Sequence, residues 1–252
     1  MDQVRSQIEE IWEVYRYDLA KTNLLWLRAI VPLAHGRLEE ARRGAIEYYE
    51  ENPEDLLHLH GLGLRAEIEI LLGELDDAEE TLAEAAGIEA RSKPVPPFHA
   101  SRYLGARLLL DIERLKAAEG DPSVPRRSAR RRIKAVIANT GKMAFGRVEM
   151  LALAGRFEWL EGRYERSLAH FEQSISAADE LGAIPARARI FGELADLLAE
   201  AGPGPDRFRD LDEEACRLEA LVGIQAPDVD LPTGGGSADA TAMRVRGNQL
   251  EN

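Results

Sequence analysis

Apolar side chains recur along this chain at steps of three and four residues, which is the spacing of one face of an α-helix. The segment after Gly162 is the clearest example. Its residues at these steps are Tyr164, Ser167, Phe171 and Ser174. Alternating runs of Val, Ile and Thr, which would indicate β-strands, are nearly absent. The pattern therefore predicts an all-α protein.

Eleven helices fit this periodicity. The predicted spans are roughly 3–20, 23–35, 38–51, 55–72, 75–89, 98–119, 124–139, 143–161, 164–181, 185–201 and 206–222. Residues 91–97 and 202–205 are rich in proline or glycine and are predicted to connect helices. The first helix has an apolar face but no evident partner helix. It could cap the other helices, pack against a second copy, or be the remnant of an upstream repeat.

A unit of helix, glycine and second helix repeats along the chain. The glycines of this frame are Gly36, Gly73, Gly120, Gly162 and Gly202, which lie 37, 47, 42 and 40 residues apart. Each falls where the C-terminus of a helix favours a positive φ angle. The frame predicts a series of helical hairpins, and the small residues at 155 and 167 predict close approach of the two helices in one of them.

The residues around these glycines resemble the tetratricopeptide repeat family. Its pattern places glycine at the hairpin turn, an aromatic residue two positions later, alanine three further, a second aromatic residue at the next turn and proline at the end. The matching positions are Gly162, Tyr164, Ser167 in the alanine position, Phe171, Gly36, Leu38 in the aromatic position, Ala41 and Pro53. The repeats here are longer than the family's period of about 34 residues.

This resemblance implies a right-handed α-solenoid of about five hairpins plus an extra N-terminal helix. The implied organisation is an N-terminal helix over 1–21, a repeat domain over 22–225 and a disordered tail over 226–252. Residues 150–202 also look like the C-terminal repeats of large bacterial signalling proteins that carry a cyclase or kinase and a regulatory ATPase. The chain has none of those catalytic modules, so it would be a detached or truncated sensor-like array.

The resemblance further implies that the first helix of each hairpin lines a concave groove. The groove positions carried over through the glycine frame are Asn23, Trp26, His60, Glu67, Arg107, Arg114, Glu149, Arg156, Trp159, Arg189 and Asp196. Arginine, tryptophan and carboxylates together suit an extended peptide. Core packing is the alternative for Trp26 and Trp159. We expect a scaffold that binds a peptide or protein partner. The alternative is a ligand-sensing or self-associating regulatory module of a bacterial signalling or transcription system.

Charge is unevenly distributed along the chain. The net charge is −13, and residues 1–90 account for all of it, with 21 acidic and 8 basic side chains. Such a balance disfavours general nucleic-acid binding. One segment is strongly basic, and its residues are Arg126, Arg127, Arg130, Arg131, Arg132 and Lys134. It could meet an acidic partner, a phosphate-bearing ligand, an anionic membrane surface or the acidic third of another copy, or simply face solvent.

Motifs for catalysis are incomplete. Residues 61–66 satisfy the dinucleotide pattern G-x-G-x-x-A, but helical periodicity runs through them where a strand should precede them. We interpret these glycines as close helix-packing positions. His58 and His60 are two residues apart and point to different sides of a helix, so they are a poor metal pair. No enzyme activity, cofactor or metal is therefore expected.

The cysteine content and the lengths of the apolar runs bear on where the protein is located in the cell. Cys216 is the only cysteine, which fits a reducing cytoplasm, and we interpret it as a buried apolar residue. No apolar run approaches the roughly 20 residues that a membrane-spanning helix needs. We expect a cytoplasmic protein that could form a homo-oligomer.

Overall fold

The computed structural model describes residues 2–117, 121–144, 146–201 and 211–222, and these residues form helices and contain no strand. In chain order the helices are α1 (Asp2–Tyr15), α2 (Asp18–Ala34), α3 (Leu38–Glu51), α4 (Asp55–Leu71), α5 (Leu75–Arg91), α6 (Pro97–Ala117), α7 (Ser123–Thr140), α8 (Arg147–Leu160), α9 (Tyr164–Glu180), α10 (Ile184–Ala201) and α11 (Leu211–Val222). The predicted all-α class is confirmed for this part of the chain. The predicted tail over 226–252 lies outside it.

The first two helices meet earlier than predicted. The sequence pattern places the end of the first helix at residue 20, but α1 ends at Tyr15 and α2 begins at Asp18. Arg16 has a φ of 50°, so the chain leaves the helical path there. Asp18 then lies in the first turn of α2, where a carboxylate interacts favourably with the helix dipole. Periodicity alone missed this break because apolar residues continue through it.

Three of the predicted turn glycines close their hairpins in the same way. Gly36, Gly73 and Gly162 have φ angles of 71°, 83° and 70°. After each glycine, the next residue donates its backbone N–H to the carbonyl five positions earlier, at 2.9 Å in all three turns. This pairing satisfies a carbonyl that the helix end would otherwise leave without a donor. Gly120 and Gly202 lie outside the described residues.

Helices pack both with their hairpin partners and with alternate helices. The hairpin pairs are α2 with α3, α4 with α5, α6 with α7, α8 with α9, and α10 with α11. In addition, α4 packs on α6, α6 on α8, and α8 on α10. The even-numbered helices from α4 to α10 therefore form one connected layer.

Glycines allow the closest of these helix contacts. A Cβ atom on Gly63 would lie 2.4 Å from the backbone nitrogen of Tyr103, which is on α6. A Cβ atom on Gly61 would lie 3.0 Å from the ring of Tyr48, which is on α3. Both glycines are inside α4 and no strand precedes them. The interpretation of residues 61–66 as helix-packing positions is therefore confirmed.

A second close contact joins α2 to α3. Pro32 lies in the last turn of α2 and has no N–H to donate to the carbonyl of Arg28. Gly44 packs against that carbonyl, and a Cβ atom there would lie 2.5 Å from its oxygen. The missing side chain of Gly44 therefore lets α3 approach the part of α2 that proline leaves unpaired.

Buried serines join α8 to α9. The hydroxyl of Ser167 donates to the carbonyl of Gly155 at 2.8 Å, and the hydroxyl of Ser174 donates to the carbonyl of Val148 at 2.6 Å. Both serines are fully buried. The ring of Phe171 occupies the space over Gly155, where a Cβ atom would lie 2.8 Å away. The predicted close approach at residues 155 and 167 is confirmed.

Two glycine-to-alanine substitutions should change stability in opposite directions. Gly63→Ala forces a methyl group against the backbone of α6 and should lower the free energy of unfolding by about 2 kcal/mol. Gly87→Ala in α5 meets no atom within 4 Å. It should raise the free energy of unfolding by about 0.5 to 1 kcal/mol, because alanine is the better helix former. Urea denaturation followed by circular dichroism measures both, and equal effects would contradict the close packing at Gly63.

Candidate partner-binding surface

Charged side chains link α4, α6 and α8. Arg102 of α6 lies 2.8 Å from Glu67 of α4, and their side chains are 12% and 21% exposed. Burial alone would lower the pKa of Arg102, but Glu67 and Glu149 outweigh that effect and raise it. Glu149 belongs to α8. The guanidinium of Arg102 therefore interacts with carboxylates on both α4 and α8.

The same arrangement continues between α8 and α10. Arg156 forms a two-pronged pair with Glu193, and Arg189 lies 3.3 Å from Glu149. Burial alone would raise the pKa of Glu149, but Arg189 and then Arg102 outweigh it and lower that pKa. We name these paired residues the charge ladder: Glu67, Arg102, Glu149, Arg156, Arg189 and Glu193. The ladder opens to solvent at its α10 end, where the Arg189 side chain is 51% exposed.

An aromatic cluster adjoins the ladder. Its members are Trp26, Tyr48, His60, Phe98 and His99. The ring of His60 lies 4.5 Å from that of Trp26 and stacks on Phe98 at 4.6 Å, measured between centroids. Burial first, then the nearby Arg102 and His99, lower the pKa of His60 to about 3. The guanidinium of Arg102 lies 5.6 Å from the Trp26 ring centroid, so it joins the cluster to the ladder.

Only part of the cluster reaches solvent. His60 is fully buried, whereas Phe98 is 42% exposed at the start of α6. An exposed phenylalanine beside buried rings offers an apolar contact point with little conformational freedom to lose. The cluster and the ladder together form one surface of aromatic and paired charged side chains.

Six of the residues predicted for a groove fall on this surface. They are Trp26, His60, Glu67, Glu149, Arg156 and Arg189. Trp159 instead packs half-buried beside the core of α8 to α10, with its ring 4.9 Å from that of Tyr164. Asn23 is exposed, and its side-chain amide donates to the carbonyl of Leu19. Asp196 is exposed on α10.

Two predicted arginines of α6 lie apart from the ladder. Arg107 donates to the hydroxyl of Tyr103 on its own helix at 2.6 Å, and Arg114 pairs with Glu79 of α5. Arg107 follows Arg102 by five residues, which rotates it about 140° around the helix. The groove positions that the tetratricopeptide resemblance predicted on α6 therefore lie on a different side of this helix from the side that faces α4 and α8.

The groove prediction missed two ladder residues, Arg102 and Glu193, although the sequence contains a pattern that points to both. Glu67 and Arg102 are 35 residues apart, and Arg156 and Glu193 are 37 apart. These separations are close to the tetratricopeptide period of about 34 residues. Opposite charges one repeat apart on successive first helices would have indicated Arg102 and Glu193. Phe98 has no comparable signal, because its exposure depends on the packing of α6.

Half of the predicted basic segment has structural partners. Arg126 and Arg130 both pair with Glu161 at the end of α8. Arg132 lies 2.9 Å from the buried carboxylate of Asp111 and donates to a backbone carbonyl of α6. Burial raises the pKa of Asp111 to about 6, although Arg132 opposes this shift. These three arginines connect α7 to α6 and α8.

The other half of the segment consists of Arg127, Arg131 and Lys134. All three are exposed, and within the described ranges none lies in an ion pair. Their spacing of four and three residues places them on one side of α7. They remain available for a partner.

Other candidate residues have separate positions. Cys216 is exposed, so its interpretation as a buried apolar residue is wrong. The ring of His58 lies against Tyr49, whereas His60 is in the aromatic cluster, which confirms that the two histidines point to different sides. Among the described residues there is no group of three or more His, Cys, Asp or Glu side chains placed to hold a metal ion. No helix in those residues is both long and apolar enough to cross a membrane.

The ladder should show measurable coupling between its partners. Arg156→Met leaves Glu193 half-buried and unpaired, so we expect a loss of about 1 to 2 kcal/mol in unfolding free energy. The double variant Arg156→Met/Glu193→Met should recover about 1 kcal/mol of this loss. The exposed pair Arg37 and Glu40 serves as control, with an expected coupling of about 0.3 kcal/mol. Double-mutant cycles followed by urea denaturation measure the coupling of each pair. Equally small couplings for Arg156 with Glu193 and for Arg37 with Glu40 would contradict the ladder.

His60 should make stability depend on acid pH. Its pKa in the folded protein is about 3, below the ordinary 6.5, so protonation favours the unfolded chain. This contribution is complete above about pH 6.5 and is lost as the pH falls towards about 3. Between about pH 6 and about pH 4, wild type should lose about 1.4 kcal/mol per pH unit more than His60→Phe. A His60→Phe slope equal to that of the wild type would contradict the burial of a neutral His60.

Two comparisons with known proteins gave no match: no protein-family model matches the chain, and no curated protein matches it. The resemblance to tetratricopeptide repeats therefore rests on the residues and turns described above.

Proposed function

We propose that the chain is a tetratricopeptide-like, right-handed α-solenoid of about five hairpins with an extra N-terminal helix. The repeated glycine turns and the layer of even-numbered helices support this architecture, because each hairpin of a solenoid contacts its neighbours through equivalent positions. In this arrangement α2, α4, α6, α8 and α10 line the concave side. The aromatic cluster and the charge ladder lie along that side.

The function that this surface supports best is binding of a partner through an extended peptide segment. The observation that carries the proposal is the continuity of the surface: Arg102 contacts both the aromatic cluster and the ladder. Phe98 is an apolar anchor point, and Arg189 is the exposed charge at the far end. Ion pairs hold the intervening side chains in place before binding, which reduces the entropy cost of association. The chain then acts as a scaffold and not as an enzyme.

The charge ladder also limits the kind of segment. It contains three arginines and three glutamates, all of them paired, so it attracts neither a strongly acidic nor a strongly basic ligand. A segment of mixed polarity with one large apolar residue fits best. Its backbone groups would exchange hydrogen bonds with the ladder, and its apolar residue would cover Phe98.

Peptide selection tests the proposed function. Peptides selected from a displayed random library on immobilised wild-type protein would be measured for affinity by fluorescence anisotropy. Phe98→Ala and Arg189→Glu should each weaken the selected peptides by about tenfold or more. Arg166→Glu, an exposed arginine of α9 without an ion pair in the described residues, is the matched control and should keep wild-type affinity. Equal affinity for all variants would place the binding elsewhere and contradict the proposal.

A second candidate function is self-association, as in a regulatory module. The observation that favours it is separate from the ladder: Asp77 and Glu80 of α5, and Arg127, Arg131 and Lys134 of α7, are exposed and form no ion pair within the described residues.

A further inference from the structure

A cavity opens between α5 and α7, over the N-terminal half of α6. Its volume is about 340 Å³, which lies within the range of small-molecule sites. Much of its lining is apolar, and this part includes Ala100 and Leu104 of α6 and Ala135 and Ala138 of α7. Because most of these side chains are small, they leave room for a ligand with a compact apolar body.

Helices α6 and α7 run in opposite directions along the cavity. Near the end of α7, the side-chain amide of Asn139 donates to the carbonyl of Pro97, at the start of α6. One to two turns earlier on α7, Arg132 donates to the carbonyl of Arg107, which lies further along α6. The first part of α7 therefore lies beside the second part of α6, at one end of the cavity.

Two arginines lie at that end. Arg107 donates to the hydroxyl of Tyr103 at 2.6 Å, and Tyr103 lines the cavity. Arg131 lies one helical turn before Ala135, on the side of α7 that lines the cavity. Neither guanidinium forms an ion pair within the described residues. We name Arg107 and Arg131 the arginine pair.

A buried carboxylate near the arginine pair already has a partner. Asp111 lies 2.9 Å from Arg132. Burial lowers the pKa of Arg132, Asp111 opposes this shift, and the neighbouring Arg107 and Arg131 add to it. Three guanidiniums therefore share one carboxylate. The buried Nε of Arg132 also has no hydrogen-bond acceptor among the described residues. This end of the cavity has an excess of positive charge and of donors.

Two lysines lie at the other end of the cavity. Lys93 precedes α6, Lys142 follows α7, and both line the cavity. Lys142 is exposed and forms no ion pair in the described part of the chain, whereas Lys93 lies 3.9 Å from Glu89. Among the described residues, Glu89 is the only acidic one in the lining. The lysines therefore add to the positive charge around the apolar lining.

We propose that this cavity binds a small phosphate ester with a compact apolar body. The phosphate lies between Arg107 and Arg131, whose guanidiniums donate hydrogen bonds to its oxygens. A phosphate monoester carries about 1.5 to 2 negative charges at pH 7, which matches two guanidiniums that have no ion pair. The apolar body covers Ala135 and Ala138, and the two lysines attract the ligand to the cavity.

The same features disfavour other ligands. Nucleic acids and anionic membranes present long arrays of phosphates, which the net charge of −13 on this chain repels. A neutral apolar molecule gains nothing from the arginine pair, and a carboxylate carries only one charge. The cavity uses no residue of the charge ladder, so this site does not depend on peptide binding.

Isothermal titration calorimetry with phenyl phosphate tests the site. Wild type should bind this ester at about 0.1 M salt, and binding should weaken at about 1 M salt because the charges are then screened. Inorganic phosphate lacks the apolar body, phenol lacks the anion and benzoate lacks the second charge. Each of these three should bind at least about tenfold more weakly than phenyl phosphate.

Two substitutions separate the phosphate contact from the shape of the cavity. Arg131→Met removes an exposed arginine that forms no ion pair within the described ranges, and Ala138→Trp fills the cavity. Each should raise the dissociation constant for phenyl phosphate by about tenfold or more. The matched controls Arg166→Met and Ala169→Trp change exposed residues of α9 and should bind like wild type. Circular dichroism checks that each variant remains helical.

Several outcomes would overturn the site. One is the absence of phenyl phosphate binding by wild type up to about 5 mM. Another is equal affinity of wild type and either Arg131→Met or Ala138→Trp. Phenol or benzoate binding as tightly as phenyl phosphate would overturn the assignment to a phosphate ester. Co-sedimentation of wild type with vesicles that contain phosphatidic acid, if Arg131→Met abolishes it, would overturn the soluble ligand in favour of a lipid headgroup.

Discussion

The contact between the backbones of α4 and α6 at Gly63 controls the geometry of the candidate surface. Only glycine allows the two helices to come this close, because a Cβ atom would lie 2.4 Å from the nitrogen of Tyr103. Glu67 is one turn after Gly63, and Arg102 immediately precedes Tyr103. The ion pair between them at 2.8 Å therefore follows directly from the backbone contact. Arg102 then reaches Glu149 and Trp26, which connects the next helix and the aromatic cluster.

Charged side chains occur in two different environments in this molecule. In the charge ladder they are paired across one repeat and most of them are largely buried, as in Arg156 with Glu193. Their cost of leaving water is offset by the partner, so they define geometry more than they add stability. On α5 and α7, charges such as Asp77 and Arg131 stay exposed and form no ion pair within the described residues. A surface that is already neutralised suits a ligand of mixed polarity, whereas exposed charges without an ion pair suit a partner that supplies the opposite charges.

Polar groups inside the hairpins add specificity to packing that is otherwise apolar. Ser174 donates across the interface to the carbonyl of Val148, and Arg132 donates to the carbonyl of Arg107. Each bond joins a side chain of one helix to the backbone of another, so a shift of one helix along its partner would break it. Such bonds restrict the register of α9 on α8 and of α7 on α6.

The sequence by itself determined the helices, the hairpin turns and the close packing of residues 61–66, since periodicity and the φ preference of glycine act over a few residues. It also indicated six members of the surface through the tetratricopeptide resemblance. Only the tertiary structure decided which side of α6 faces α4, because helix rotation depends on packing between distant segments, and an offset of five residues turns a side chain by about 140°. For the same reason only the structure separated Arg126, Arg130 and Arg132, which have ion-pair partners, from the other three basic residues of α7, which have none within the described residues.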